Sequence, residues 1–158
     1  ILLILAGCGF QLRGLVKLPY HSLYLSLPQN SEIAALLRRQ LSANGITLVD
    51  VPSSADAQLH QLYDSREKLI LTINTQGRVR ENQLRLRYGF RMLDAQGREV
   101  VPPQDITLTR DITYNDSAVL AKEQEELLLW REMQKDAVQQ ILRRLAALTP
   151  QLTAEERD

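Results

Sequence analysis

Cys8 follows Leu5-Ala6-Gly7 at the end of an unbroken apolar run, Ile1-Leu-Leu-Ile-Leu, and it is the one cysteine in the sequence. Small residues at Ala6 and Gly7 let a peptidase approach the backbone, and the Cys8 thiol is the nucleophile that takes a lipid. The pattern is that of a bacterial lipoprotein processing site, which enzymes read as an address and remove. Residues 1–7 are therefore expected to be a signal-peptide remnant, clipped because no Met or basic leader precedes it, and the mature chain is expected to begin at Cys8. A run this short cannot span a bilayer, which needs about 20 residues in a helix. The competing reading is a buried N-terminal strand with a core cysteine. A single cysteine rules out an intramolecular disulfide and a cysteine-based metal cluster.

The other residues capable of chemistry are basic. Arg78, Arg80, Arg85 and Arg87 follow Gly77, and Arg91 continues on the side of Arg85 and Arg87. Guanidinium forks match phosphate oxygens, so such a stripe suits a phosphorylated glycolipid or an anionic partner surface. The alternative is a solvated sheet face balanced by nearby carboxylates. Glu123, Glu125 and Glu126 near a helix start complement its dipole rather than form an acid–base pair. The two histidines, His21 and His60, fall in a tether and a strand, and no H-E-x-x-H, G-x-S-x-G or phosphate-cradling glycine loop occurs. No catalytic residue, metal site or soluble cofactor is assigned, and an enzyme is not expected.

Hydrophobic residues make up 44% and charged residues 24% of the chain, so it should fold largely in water as one domain. Basic and acidic residues balance at 19 each, which argues against bulk binding to nucleic acid. Residues 8–22 read as a lipidated tether, 23–148 as the single domain and 149–158 as a flexible tail. Leu23, Leu25 and Leu27 alternate as a strand. Asn30 or Ser31 can cap a helix carrying Ile33, Leu36, Leu37 and Leu41, which Asn44-Gly45 stops. Ile46 to Val51 then gives a β-α-β start.

After a polar loop at 52–56, Leu59 to Ile73 looks extended with Leu69, Leu71 and Ile73 on one face, although Asp64–Lys68 interrupts the pattern. Thr75-Gln76-Gly77 is a hairpin turn. Leu84, Leu86, Tyr88, Phe90 and Met92 point one way, and Asp94-Ala-Gln-Gly97 closes that strand. A third strand after Pro102-Pro103 carries Ile106, Leu108, Ile112 and Tyr114. From about Asp116 to Leu148 runs a helix, stopped by Pro150, with Trp130, Met133, Ala137, Ile141 and Leu145 on its apolar stripe. The expected fold is α+β: a two-layer sandwich of a mixed, mostly antiparallel sheet of four to five strands with two helices on one face.

Two stretches together resemble a known family. Cys8-Gly9-Phe10-Gln11-Leu12-Arg13 is similar to the mature start of the LptE-type lipopolysaccharide-assembly lipoproteins. The second signature is Arg110-Asp-Ile-Thr-Tyr114 followed by Val119-Leu-Ala-Lys122-Glu-Gln-Glu125, leading into Met133, Ala137, Ile141 and Arg143-Arg144-Leu145. The resemblance implies an outer-membrane lipoprotein, carrying diacylglycerol and an N-acyl chain on Cys8, whose periplasm-facing domain plugs a β-barrel translocon of the LptD type. It also implies help in assembling that barrel and binding of lipopolysaccharide in transit. Gly9, rather than Asp, after the lipidated cysteine fits outer-membrane sorting. Lys122 matches the lysine the family is thought to use for lipopolysaccharide. The family's other basic contact lies just before the glycine of the hairpin turn. Thr75-Gln76 stands there in this chain, so Arg78 and Arg80 are the compensating candidates. The alternative function is a stand-alone periplasmic carrier for lipid or anionic glycan, and a third is an envelope hydrolase built around His60.

Overall fold

A computed structural model describes residues 18–114 and 118–155, the last eight of these in backbone only. The processing segment 1–7, the lipidation site Cys8, most of the 8–22 tether and the Leu148 side chain lie outside the described residues. Chain order is β1 (Ser22–Ser26), α1 (Glu32–Ala43), β2 (Thr47–Val49), a short 3-10 turn (Pro52–Ser54), β3 (Ala57–Ile73), β4 (Val79–Asp94), β5 (Glu99–Thr113) and α2 (Val119–Glu155). The five strands form one sheet in the order β2-β1-β3-β4-β5. β1 is parallel to both β2 and β3, whereas β3, β4 and β5 form an antiparallel meander. The expected α+β architecture is what the chain adopts.

Local chemistry accounts for most boundaries. Ser31 caps α1, its hydroxyl accepting from the Ala34 amide at 3.3 Å. The two long hairpin turns repeat one device. Asn74 Oδ1 accepts from the amides of Gln76 and Arg78, Asp94 Oδ1 accepts from those of Gln96 and Arg98, and Gly77 and Gly97 supply φ of 76° and 78°. β4 is the central strand of the meander, and its Leu84, Leu86, Tyr88, Phe90 and Met92 are all fully buried. Against them pack Leu23 of β1, Ile33, Leu37 and Leu41 of α1, and the α2 stripe of Met133, Ala137, Val138, Ile141, Leu142 and Leu145. Glu32 ties the layers together at the head of α1: buried Gln134 of α2 donates to it at 2.5 Å, and Arg66 of β3 lies 3.7 Å away.

Three expectations need correction. β3 is one continuous strand from Ala57, with no break at Asp64–Lys68, because a register shift between Gln61 and Tyr63 exchanges the faces. Beyond it, Asp64, Arg66 and Lys68 pair across from Tyr88, Leu86 and Leu84 on the helix side, where Arg66 and Lys68 meet carboxylates of the helices. Leu71 follows Ile70 on the opposite, helix-free face and is exposed, as is Ile73 beside the hairpin turn. β5 begins at Glu99 and passes through Pro102-Pro103, which sit at a register shift on an edge strand, where a missing amide is tolerated. α2 begins at Val119 and continues through Pro150 to Glu155. Proline removes one helical bond and can kink a helix, but it does not forbid the turns beyond it.

Gly89 has a packing role on the helix-free face. A Cβ placed there would stand 2.5 Å from the Tyr63 ring, which lies across the glycine, hydrogen-bonds Asp105 and carries Arg87 over its face at 5.5 Å. Gly89→Ala is expected to push that ring aside and cost about 1–3 kcal/mol, read as a lower urea midpoint.

Candidate functional site

The meander is much longer than the strands beside it. β1 reaches only from Ala57 to His60 along β3, so the hairpin at Asn74–Arg78 projects well past β1 and β2. β5 accompanies β4 as far as Thr113 opposite Glu81, and the chain returns as α2 over the same end. Between hairpin and helix lies an open cleft of about 640 Å³. Ile70, Val79 and Val119 give it apolar walls, Lys68 and Arg78 bring positive charge, and Asn82 and Tyr114 complete the lining.

A polar clamp holds the helix onto the hairpin here. Lys68 Nζ of β3 lies 2.6 Å from Glu126 Oε2 of α2, the Tyr114 hydroxyl donates to the same oxygen at 2.5 Å, and the Lys68 ammonium sits 5.0 Å from the Tyr114 ring centre. Burial works against both charges. It would lower the Lys68 pKa, yet the bonds to Glu126 and Tyr114 outweigh it and raise the value. For Glu126 burial acts to raise the pKa, and the bonds from Lys68 and Tyr114 outweigh it and bring the carboxyl below its ordinary value of 4.5. A depressed carboxylate stabilises the fold above its unfolded value and loses that contribution as pH falls through the folded one. Acidification below about pH 4.5 is therefore expected to loosen the first turns of α2 before the core melts. Amide exchange over residues 119–126 measures this, and Glu126→Gln should abolish the pH dependence.

Lys122, Arg78 and Arg80 are brought to this one end. Lys122 lies on the α2 stripe that includes Val119, Glu126, Trp130 and Met133, so its stem is turned towards the sheet and its side chain is only 21% exposed. Its ammonium pairs with Glu125 at 2.7 Å, the local i,i+3 contact that ordinary helix chemistry predicts. Arg78 leaves the hairpin turn and lines the cleft, and the carbonyl of Arg80 accepts from the Tyr114 amide at 2.8 Å. The rest of the arginine stripe behaves differently. On the helix-free face Arg85 meets Glu67 at 3.7 Å, Arg91 meets Glu99 at 4.0 Å and Arg87 covers Tyr63, a self-balanced surface. His60 bonds Gln58 and faces Arg91 across the strands, not a carboxylate and nucleophile. Sequence reasoning missed Lys68, Asn82, Tyr114 and Glu126 as site residues. A lysine and an asparagine at inward strand positions were the available signal.

Comparison with known proteins follows the same outline. The family model for LptE, described as lipopolysaccharide-assembly, matches residues 20–145, which is most of the fold from β1 through the buried part of α2. The chain belongs to the LptE family. The LPS-assembly lipoprotein LptE of Yersinia pestis (strain Pestoides F) is 33% identical over 147 residues, covering 90% of this chain and 70% of that protein. Among solved structures, lipoprotein B from Nitrosomonas europaea superposes with a TM-score of 0.79 at 40% identity, over 90% of this chain and 93% of its own. Rare lipoprotein B from Shewanella oneidensis gives 0.73 at 28% identity, over 84% and 98%. The LptE role is lipopolysaccharide assembly, and no described helix is long and apolar enough to cross a membrane.

Proposed function

We propose that this LptE-family chain is a non-enzymatic outer-membrane lipoprotein subunit of the lipopolysaccharide translocon. In this reading a lipid on Cys8 anchors it to the outer membrane, and its domain plugs the lumen of an LptD-type β-barrel whose assembly it assists. The cleft end receives lipopolysaccharide in transit. The observation that carries the reading is a cleft with apolar walls, lined by Lys68 and Arg78 and with Lys122 on the helix that borders it, at the end of the domain remote from its N-terminal entry. β1 starts opposite Ala57, which pairs with Asp94, so the tether enters at one end of β3 and the cleft lies at the other. Eleven to thirteen residue steps, from Ala57 to Lys68 and Ile70, at about 3.3 Å each place the two roughly 40 Å apart. An anchored end and a lipid-binding end so separated fit a rod set along a barrel axis. The protein acts by position and differential binding, with Lys122 exchanging its weak Glu125 pair for a phosphate of higher charge.

The test is a pull-down of the lipidated protein from gently solubilised membranes. Co-purification with an outer-membrane β-barrel, and loss of that barrel's correct assembly on depletion, are expected. Recovery as a free monomer would overturn the translocon reading and favour the stand-alone carrier. That alternative needs an enclosed apolar pocket, whereas the cleft here is open along one side.

A further inference from the structure

Asn82 is one of two buried polar residues among those described, the other being Gln134, which bonds Glu32. Asn82 is 4% exposed and stands on the inner face of β4 between Ile70 and Ile112 on the flanking strands, two residues before fully buried Leu84. Its side chain lines the cleft, and its Oδ1 has no hydrogen-bond partner among the described residues. Valine or leucine would fill such a site without leaving a polar group unpaired. A buried carboxamide oxygen without a partner is a standing cost to the fold. It is repaid when a ligand brings the missing partner. A carboxamide can turn over to present either its N–H or its C=O, so it accepts a hydroxyl or an amide equally well.

We propose that Asn82 binds the hydroxyl- or amide-bearing junction of an acylated, phosphorylated glycolipid. One acyl chain then lies against Ile70, Val79 and Val119, and a phosphate turns towards Arg78. This rests on the reading that the cleft end binds lipopolysaccharide, and it deepens that reading. The basic residues supply attraction for the headgroup, and Asn82 with the apolar walls reads the acylated part. Ile70 and Val119 are 62% and 53% exposed in the free protein, so apolar surface is already waiting for a chain to cover it. The site therefore distinguishes an acylated glycolipid from the same sugar phosphate without its chains.

The experiment compares the full chain with Asn82→Leu and Val119→Trp. The probes are lipopolysaccharide and the acyl-free phosphorylated oligosaccharide prepared from it. Asn82→Leu should weaken lipopolysaccharide binding about tenfold, leave the oligosaccharide unchanged and melt no earlier than the parent, since it removes an unpaired polar group. Val119→Trp, at an exposed position that places no demand on folding, should block the chain and reproduce the selective loss. Lipopolysaccharide binding retained by both variants, with binding lost on charge reversal at Lys122, Arg78 and Arg80, overturns the Asn82 site while leaving the translocon reading intact. Absence of any lipopolysaccharide binding by the parent chain overturns both.

Discussion

Reversing Lys122, Arg78 and Arg80 together to glutamate is expected to lower lipopolysaccharide affinity at least tenfold while leaving the fold in place. Charge-assisted hydrogen bonds contribute about 1.5–3 kcal/mol each, and exposure and salt reduce that figure. Even a third of it, summed over three sites, exceeds the roughly 1.4 kcal/mol that a tenfold change requires. The backbone contacts of the hairpin remain. The turn uses the Arg78 amide, which Asn74 accepts, and the Arg80 carbonyl, so both contacts survive a change of side chain. Lys122→Glu breaks one intrahelical pair and sets two carboxylates together, costing about 0.2–0.5 kcal/mol. A negative charge in the first turn also recovers part of that through the helix dipole. Titration of purified protein with lipopolysaccharide at two salt concentrations, alongside a thermal melt, reads both effects. Unchanged binding with an unchanged melt would remove these three residues from the account.

Phe90→Ala should have the largest effect on stability, about 3–5 kcal/mol. The ring is fully buried on the central strand, 6.4 Å from the Tyr88 ring centre, inside the cluster where the sheet meets both helices. Such a core cannot collapse around the void without moving a helix or the hairpin. Domains of this size are commonly stable by 5–15 kcal/mol, so the variant is expected to lose a large share of its margin. Urea titration should show a lower midpoint at unchanged slope. Leu120→Ala is the control, because Leu120 is 76% exposed on α2 and its loss should cost within about 0.5 kcal/mol. Equal effects for the two variants would mean that the core is not centred on β4.

How much of this was legible beforehand depends on how locally each feature is determined. The alternation of Leu84 to Met92 marked the buried face of β4, because a strand's side chains alternate whatever surrounds it. Ser31, Gly45, Gly77 and Gly97 marked boundaries for similarly local reasons: a hydroxyl reaching a first-turn amide, and positive φ at little cost. The β3 pattern misled because its register shift lies in pairing with β4, and a bulge leaves no period in the strand's own residues. Arg66 and Lys68 looked like an interruption until Glu32 and Glu126 stood opposite them.

The resemblance carried by the Lys122 stretch pointed to one residue of the candidate site. It did not reveal the clamp that Lys68, Tyr114 and Glu126 form at the same end, since those groups come from separate parts of the chain. By itself, the sequence determined the family, the α+β class, the turns and the buried face of β4, all set by contacts within a few residues or by a motif read directly. Tertiary structure alone decided that β3 outruns β1, that the Asn82 Oδ1 is buried without a partner, and that Arg78 and Lys122 come to the same end as an apolar cleft. Those facts depend on strand register and on where α2 settles, and both are fixed only when the whole core packs.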